Sequence, residues 1–537
     1  MAAAAESEAR LRKRKRAPRG PGLESPVAAS SSWVRLAFLV TALRLLNAFL
    51  VQTSFVPDEY WQALEVAHRA AFRYGFLTWE WARGLRSALY PLALAGLYKA
   101  LELLGTDRAP LLVWLPRLAQ ALLAAVADVR LYFLAKRIEG PAVAPWVVFC
   151  QLCSWFTWFC CTRTLTNATE AALGTIALSF YPVPGTPSGV SSVRYLTLAA
   201  VAFIIRPTAA ILWAPLVLWH FWTETPEGRL RLLLRCLSVG LVTLGSSLVL
   251  DRMFYGKWVV VQLNFLRFNV LTGGGSFYGS HAWHWYWTQG LPAILGPHLP
   301  LFLLGCLRAP RRAPHRLLLA LILWTVGAYS ALSHKEFRFL LPVLPLAMLF
   351  CGRALHGLRK GRRAVSAGAL LASNALLALY LGLVHQRGTL DLMAHLRGLC
   401  PPPSPSPPQQ QQQRGPPSVL MLMPCHSTPF YSHIHCPLQM RFLQCPPDLD
   451  GRADYQDEAD AFYAAPLPWL QREFGTANAS STPPPTHLAL FRGLQKEIGP
   501  FLCAHGYKHR AAFFHTHLPQ GRVGSHVDLY ERDPKGS

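Results

Sequence analysis

Long apolar segments recur between residues 33 and 385, and they constrain the fold of this chain more than any other feature. A helix needs about 20 predominantly apolar residues to cross the hydrocarbon core of a bilayer. Of the 537 residues, 52% are hydrophobic and 15% are charged, a balance too apolar for a soluble protein of this length. We predict an all-α polytopic membrane protein with about 11 transmembrane helices, at 33–52, 87–104, 110–135, 143–161, 164–182, 195–222, 230–250, 290–307, 316–333, 338–357 and 363–385.

Positive charge sets the predicted orientation of these helices. The net charge is +24, but Lys and Arg cluster in short segments beside the apolar ones, as the positive-inside rule expects, so nucleic-acid binding is set aside. On the cytosolic side we place a disordered basic tail without a cleavable signal peptide, and two basic connections: 1–32, 308–316 and 359–363. The loops predicted on the opposite, luminal side are 53–86, 251–289, 334–337 and the chain after residue 385.

The composition changes after the last predicted span. A Pro- and Gln-rich tract follows Cys400, and we expect residues 386–417 to form an extended or disordered linker. Residues 418–537 are predicted to fold as a small luminal α/β domain with a helix over 492–504. Its predicted strands are 419–423, 487–490, 511–515 and 523–530.

Cys, Asn and His residues of this domain carry further expectations. One or two disulfides with an odd thiol left over are expected among five cysteines on the oxidising side: Cys400, Cys425, Cys436, Cys445 and Cys503. Asn478 lies in a sequon and is expected to be glycosylated. No zinc-finger spacing occurs, so we predict no metal and no cofactor, although one group of histidines could cluster: His426, His433, His435, His515 and His517.

The first luminal loop contains acidic residues at the start of a predicted helix. Pro57 suits a first helical position, and Gly75 can end the helix. Its apolar residues recur at helical spacing, which predicts a helix lying flat in the membrane interface. Asp58 and Glu59 would fall in the first turn, where the helix dipole favours a carboxylate that can accept a proton. Alternatively, both acids only stabilise the helix start.

The turn between the ninth and tenth predicted spans is dense in charge. His334, Lys335, Glu336 and Arg338 lie within five residues at the edge of apolar helices. The cations could extend to the interface and pair with Glu336. Alternatively, His334, Lys335 and Arg338 provide donors and positive charge for a phosphate at membrane depth, and a lipid phosphate fits best.

An aromatic cluster occupies the second large luminal loop. His281, Trp283, His284, Trp285 and Tyr286 bring polar edges and flat ring faces together. Such a cluster suits a sugar or phosphate, and it equally suits an aromatic belt at the membrane interface. The residues leave both interpretations open.

Short motifs along residues 33–528 closely resemble those of the mannosyltransferases that add the third mannose in glycosylphosphatidylinositol (GPI) anchor synthesis, within glycosyltransferase family 22. They are VPDEYWQALEV, RTLTNATE, FIIRPTA, DRMFYGKW, SHKEFRFLLPVLP and PCHSTPFYSHIHCPLQMRFLQCPP. The resemblance implies a GT-C fold in the endoplasmic reticulum membrane. It also implies dolichyl phosphate mannose as donor, and as acceptor a mannosylated glucosaminyl-acyl-phosphatidylinositol with two mannoses. The chain departs from the family pattern at Ala282, where Pro is usual, and in its Pro/Gln tract.

The implied reaction needs one base and no acid. A phosphate monoester already leaves as a stable anion, so only the incoming hydroxyl has to lose a proton. Neighbouring helical residues point about 100° apart, so Asp58 and Glu59 do not address the same atom. We expect Asp58 to act as the base in an inverting α-1,2-mannosyl transfer, and Glu59 to orient the loop.

Other functions compete with this interpretation. A lipid or sugar transporter or flippase also has many spans, but such proteins often show two related halves, which this chain lacks. A mannosyltransferase acting on another lipid-linked glycan, or a noncatalytic subunit that retains the fold, remains open from sequence alone.

Overall fold

Helices make up most of the chain from Pro26 to Leu399. The computed structural model describes residues 26–186, 191–400, 416–448, 452, 454–475 and 483–533. The helices of this first part are α1 (Pro26–Leu50), α2 (Glu65–Phe72), α3 (Trp79–Ala82), α4 (Leu89–Leu103), α5 (Ala109–Glu139), α6 (Ala144–Cys153), α7 (Trp155–Cys160), α8 (Thr166–Phe180), α9 (Ser192–Ile205), α10 (Ala209–Thr223), α11 (Pro226–Tyr255), α12 (Val261–Leu266), α13 (Leu291–Leu295), α14 (Leu299–Leu307), α15 (Ala313–Ala331), α16 (Leu344–His356), α17 (Lys360–Leu383) and α18 (Gly388–Leu396).

The multi-pass architecture is confirmed. Each of the predicted spans coincides with at least one helix. Among the described residues, 6 helices are long and apolar enough to cross a membrane, and three shorter apolar helices accompany them. The predicted number of spans stays a prediction. The tail at residues 1–25 lies outside the described residues, and α1 begins within the predicted tail at Pro26.

The segment predicted as one span over 195–222 is two helices. Helix α9 ends at Ile205, and Arg206 is extended with φ −147° and ψ 105°. The cause is Pro207, because its ring disfavours the helical region for the residue before it and because it has no N–H to donate. At this break the backbone of Arg206 leaves the helical conformation.

The first luminal loop forms a helix, but not the interfacial one that was predicted. After Asp58 and Glu59 the chain makes a wide π-type turn at Tyr60–Leu64 and continues as α2. The helix ends at Phe72, because Arg73 already adopts the left-handed conformation with φ 66°. Glu65 and His68 are buried, whereas Arg69 and Arg73 are exposed. The apolar residues of the helix pack in a core shared with the small domain, so the prediction of a helix lying flat in the interface is wrong.

The small carboxy-terminal domain covers this helix and explains its burial. The Trp61 indole N–H donates to the Thr428 carbonyl at 3.0 Å. The Glu65 carboxylate accepts from the Phe430 N–H at 2.8 Å and from the Ser432 hydroxyl at 2.5 Å. Burial raises the pKa of Glu65 to about 7, against these donors, which favour the charged form. The helix of this loop, residues 58–72, which we call the loop helix, therefore packs with the small domain as one unit.

The small domain is the predicted α/β fold with more elements than the sequence indicated. Its elements are β1 (Ser418–Leu422), α19 (Tyr431–Ile434), β2 (Gln439–Phe442), α20 (Glu458–Ala464), α21 (Pro466–Phe474), β3 (His487–Phe491), α22 (Gln495–Ala504), β4 (Tyr507–Phe514) and β5 (His526–Arg532). The strand order is β2-β1-β3-β5-β4, with β1 parallel to β2 and β3 and the other pairs antiparallel. Strand β2 was not predicted, because this edge strand has only four residues and its polar and apolar alternation is too short to stand out.

Both faces of the central strands are buried. Val419 and Met421 of β1 pack with the first loop helix and α4, while Leu420 and Leu422 pack with α20, α21 and α22. A sheet covered on both faces has continuous apolar strands, as in β3, where all five residues are buried. The domain is therefore joined to the membrane part through a shared hydrophobic core.

The disulfide prediction is confirmed, and the linker prediction is wrong in part. Cys400 pairs with Cys436, and Cys425 with Cys445, while Cys503 is a free exposed thiol. The predicted linker begins with α18 and a short 3-10 turn at Arg397–Leu399, because Leu392, Met393 and Leu396 are buried against the small domain. The rest of the Pro/Gln tract, residues 401–415, lies outside the described residues.

Candidate active site

A cavity of about 680 Å³ lies between the membrane part and the small domain. Segments far apart in sequence meet at its wall. From the membrane part they lie within 56–62, 78–86, 265–281 and 334–339, together with Arg206. The small domain contributes Cys425, His426, Cys445, Asp457 and Asp460. The three loops predicted to share one face of the membrane all contribute. This convergence makes the cavity the candidate active site.

Asp58 lies at the cavity wall in contact with the charged turn. Its Oδ2 accepts from Arg338 Nη1 at 2.5 Å, and 21% of its side chain remains exposed. Arg338 also donates through Nε and Nη2 to Glu336, both at 2.6 Å. One guanidinium therefore joins the loop after α1 to the turn between α15 and α16.

Glu59 points away from the cavity into the protein. It is 1% exposed, with one oxygen 2.8 Å from Arg163 Nη1 and the other 3.5 Å from Arg117 Nη2. Arg163 also donates to the carbonyl and hydroxyl of Thr53, and the Thr164 hydroxyl donates to the Glu59 carbonyl. Asp58 and Glu59 thus face different surroundings, as the helical geometry predicted.

His334 and Glu336 hold the shape of the charged turn. His334 Nε2 lies 3.0 Å from Glu336 Oε1, and its Nδ1 lies 3.2 Å from the Gly279 carbonyl. Burial acts to raise the pKa of Glu336, but Arg338 and His334 together hold it well below its usual range. Glu336 is therefore a fixed anion that neutralises Arg338 in part.

Lys335 is the cation at the wall that has no carboxylate partner among the described residues. It is 3% exposed and donates to the backbone carbonyls of His281 and Leu332. The two backbone carbonyls accept two of its three N–H donors but do not cancel its charge. Its positive charge thus remains to act on a ligand in the cavity.

Arg206 reaches the cavity from the break between α9 and α10, and sequence reasoning missed it. Its Nε forms an ion pair with Glu170 at 3.0 Å, and its guanidinium lies 5.0 Å from the centre of the Phe339 ring. The signal was available, because an arginine before a proline within an apolar segment is costly in a membrane and marks a site.

The predicted aromatic cluster divides into two groups. His281 lines the cavity and stacks on Trp285, with ring centres 4.7 Å apart. Tyr286 is buried, and its hydroxyl bonds both the N–H and the carbonyl of Glu336 at 3.0 Å, which supports the charged turn. Trp283 is 71% exposed and, like the exposed His284, does not line the cavity.

Of these five residues, only His281 lines the cavity, and substrate contact by the cluster stays a prediction. Consecutive residues of a turn cannot all face one side. The cavity draws its aromatic rings from elsewhere, namely Trp61, Trp79, Phe265, Phe268, Phe277, Tyr278 and Phe339.

The small domain contributes residues that the sequence analysis did not assign to this site. His426 lines the cavity with a left-handed φ of 61°, and it packs on Trp61 with ring centres 4.8 Å apart. Burial lowers the pKa of His426 to about 4, so its ring is neutral. Asp457 and Asp460 lie at the same wall. Acids of a small soluble domain give no signal in sequence that separates them from surface residues.

The histidines considered as a metal cluster are dispersed. His433 packs edge-on against Tyr60, and His435 lies 3.0 Å from His68. The ligand atoms of Cys425, His426 and Cys445 lie within 4.8 Å of one another, but the two cysteines form a disulfide and cannot offer thiolates. The predicted glycosylation site, Asn478, lies outside the described residues.

Comparison with known proteins identifies the class that this cavity and fold define. Residues 35–435 match the Alg9-like mannosyltransferase family, and the chain belongs to it. It is a membrane-bound mannosyltransferase. The whole chain is similar in fold to ArnT from Cupriavidus metallidurans, with a TM-score of 0.58, 14% identity, and coverage of 96% of this chain and 100% of that one. The GT-C fold is thereby confirmed.

The chain also resembles individual curated proteins over nearly its full length. It is 57% identical to GPI alpha-1,2-mannosyltransferase 3 of Homo sapiens, over 94% of this chain and 88% of that one. It is 54% identical to the protein of the same name in Danio rerio, over 93% and 90%. With "GPI mannosyltransferase 3" of Drosophila melanogaster the identity is 41%, over 88% and 82%.

Glu59→Gln tests the buried charge cluster beneath the site. The change keeps the side-chain shape but leaves Arg163 and Arg117 without their counter-charge, which costs about 3–5 kcal/mol when a buried pair is broken. We expect a lower melting temperature of the purified, detergent-solubilised protein.

Asp58→Asn is the matched control. Asp58 is partly exposed, and Arg338 keeps Glu336, so the effect on stability should stay within about 1 kcal/mol. Equal melting temperatures for the Glu59→Gln and wild-type proteins would contradict the structural role of Glu59.

Proposed function

We propose that this mannosyltransferase adds the third mannose of the GPI anchor, in α-1,2 linkage, to the two-mannose precursor. The acceptor is a mannosylated glucosaminyl-acyl-phosphatidylinositol, and the donor is dolichyl phosphate mannose. Support comes from relatives named for GPI α-1,2-mannosyl transfer at more than half identity over nearly the whole chain. The reaction takes place at the luminal face of the endoplasmic reticulum membrane, with the amino terminus in the cytosol.

One observation carries the mechanism: Asp58 and the cations of the charged turn share one cavity. Arg338 contacts Asp58 at 2.5 Å, and Lys335, His334 and Arg206 line the same space. An acid able to accept a proton and cations able to hold a phosphate thus lie within reach of a single sugar phosphate. Neither feature alone would distinguish an enzyme from an ion-paired transporter.

In the proposed reaction Asp58 is the general base. Its carboxylate takes the proton of the acceptor hydroxyl while that oxygen attacks the anomeric carbon of mannose from the side opposite the phosphate. The bond between this carbon and the phosphate oxygen breaks, dolichyl phosphate leaves with the electron pair, and the β-linked mannose becomes α-linked. No acid is needed because phosphate is a stable leaving anion.

The cations stabilise the charge that develops on the phosphate. Lys335 is the main contributor, because its charge is not cancelled by a carboxylate among the described residues. Arg338 positions Asp58 and contributes part of its charge. Fixed donors placed where charge develops are a large source of rate enhancement.

Removal of the protein tests the substrate and the step together. Cells that lack it should accumulate a GPI precursor with two mannoses, which mass analysis of the lipid-linked glycans detects. Re-expression of the wild-type chain should remove it. Accumulation of a precursor with one or three mannoses would refute the assigned step.

Asp58→Asn tests the base. The amide cannot take a proton, so we expect mannosyl transfer to fall at least about 100-fold while the protein stays inserted and folded. Asp391→Asn, at a partly exposed Asp on α18 that pairs with Arg387, is the control and should retain activity. Near-normal transfer by Asp58→Asn would refute the assignment.

Lys335→Met tests the phosphate site. Loss of this charge should reduce turnover or donor affinity about 10- to 1000-fold. Lys508→Met, at an exposed lysine of the small domain that pairs with Asp533, is the control. Assays with varied dolichyl phosphate mannose measure both parameters, and unchanged values for Lys335→Met would count against the phosphate role.

A further inference from the structure

Two buried polar groups at the cavity wall lack a partner. Gln62 and Thr78 are 6% and 5% exposed, and both line the cavity. Gln62 Oε1 and Thr78 Oγ1 have no hydrogen bond to any described residue. A buried polar atom left unsatisfied costs about 1–3 kcal/mol, so such atoms beside a cavity indicate that a ligand completes them.

The local structure leaves both atoms free for a ligand. Thr78 is the residue that precedes α3, a position where a Thr hydroxyl usually accepts from the helix N–H groups. Here the hydroxyl makes no such bond. The Gln62 amide is oriented by its own NH₂ group, which donates to Glu80 Oε2 at 3.2 Å, so its carbonyl oxygen remains available.

The chemistry of this wall suits a sugar. The Gln62 carbonyl only accepts hydrogen bonds, the Thr78 hydroxyl donates or accepts, and the Glu80 carboxylate only accepts. Asp457 of the small domain lines the same cavity, and it is 7% exposed. Arg86 also lines the cavity and pairs with Glu80 at 3.3 Å, which offsets the charge of this carboxylate. A ring with several hydroxyl groups can donate to the free acceptors and accept from the Thr78 hydroxyl. Trp79 lies next in the chain with its ring at the cavity, and aromatic faces stack on sugars.

The position of Gln62 relative to Asp58 indicates that this wall binds the acceptor sugar rather than the donor. Gln62 follows Asp58 by four residues across the wide turn at Tyr60–Leu64, so both side chains lie on one side of the helix. The sugar whose hydroxyl gives its proton to Asp58 therefore has its neighbouring hydroxyls beside Gln62. The phosphate of the donor belongs with Lys335, whose charge has no carboxylate partner among the described residues.

We propose that Gln62, Thr78 and Glu80 form the subsite for the terminal mannose of the acceptor, with Asp457 of the small domain lining the same cavity. This inference rests on the proposed function, since it names the acceptor side of the same cavity. It also assigns a role to the small domain, which closes the subsite that the membrane part leaves open.

Gln62→Met and Thr78→Val test the subsite, because each removes the free polar atom and keeps the side-chain volume. We expect each to raise the KM for a synthetic dimannosyl glucosaminyl-phosphatidylinositol about three- to tenfold, the value of one hydrogen bond. The KM for dolichyl phosphate mannose and the turnover at saturating acceptor should stay within about twofold. A purely structural effect would lower turnover or yield instead of raising only the acceptor KM.

Thr389→Val is the matched control. Thr389 is 1% exposed on α18, and its hydroxyl also lacks a partner among the described residues, but it does not line the cavity. This variant should leave the acceptor KM unchanged. A raised donor KM, a loss of turnover alone, or an unchanged acceptor KM in both cavity variants would overturn the subsite.

Direct binding of the same acceptor to the detergent-solubilised protein separates this inference from the proposed function. If the wild-type protein binds the acceptor but transfers no mannose to it, the proposed reaction fails, and weaker binding by the variants still supports the subsite. If the wild-type protein transfers mannose and both variants bind as tightly as it does, the subsite is wrong and the function stands. An acceptor that is neither bound nor mannosylated overturns both.

Discussion

The contact between Asp58 and Arg338 is the interaction on which the candidate site depends. It joins two segments separated by 280 positions: the loop after α1 and the turn between α15 and α16. Arg338 is held from the other side by Glu336, and Glu336 by His334 and by the Tyr286 hydroxyl. The chain of contacts fixes the carboxylate relative to the cations before any substrate arrives, which is what preorganised catalysis requires.

Two buried acids, Glu59 and Glu65, hold the helix that begins at Asp58 in place. Glu59 and Arg163 anchor the start of the loop helix to the bundle, while Glu65 on the next turns anchors it to the small domain. The loop helix is thus attached on two sides and leaves only a limited surface for the cavity. Adjacent acids consequently have different roles: Asp58 meets the ligand space, and Glu59 carries structure.

The sequence identified the segments of the site better than their contacts. Apolar periodicity, charge clustering and the family motifs predicted the helices, the three loops and the residues Asp58, Lys335 and Arg338, because these signals are local. The sequence did not show that Trp283 and His284 point away from the cavity, since side-chain direction in an irregular turn depends on what packs beneath it. Arg206 and the polar residues of the first loop were missed because each looks ordinary until the fold places it at a cavity wall.

The amino-acid sequence by itself determined that this protein spans a membrane, that its chemically rich loops lie at one face, and that its motifs are those of a mannosyltransferase. These properties follow from composition, spacing and residue type, which act along the chain. Only the tertiary structure decided that the small domain covers the loop helix, that an extended Arg206 reaches the cavity, and that Asp457 of the small domain lines the same cavity as Gln62 and Thr78. Those relations depend on packing between distant segments, and no local pattern encodes a distance across space.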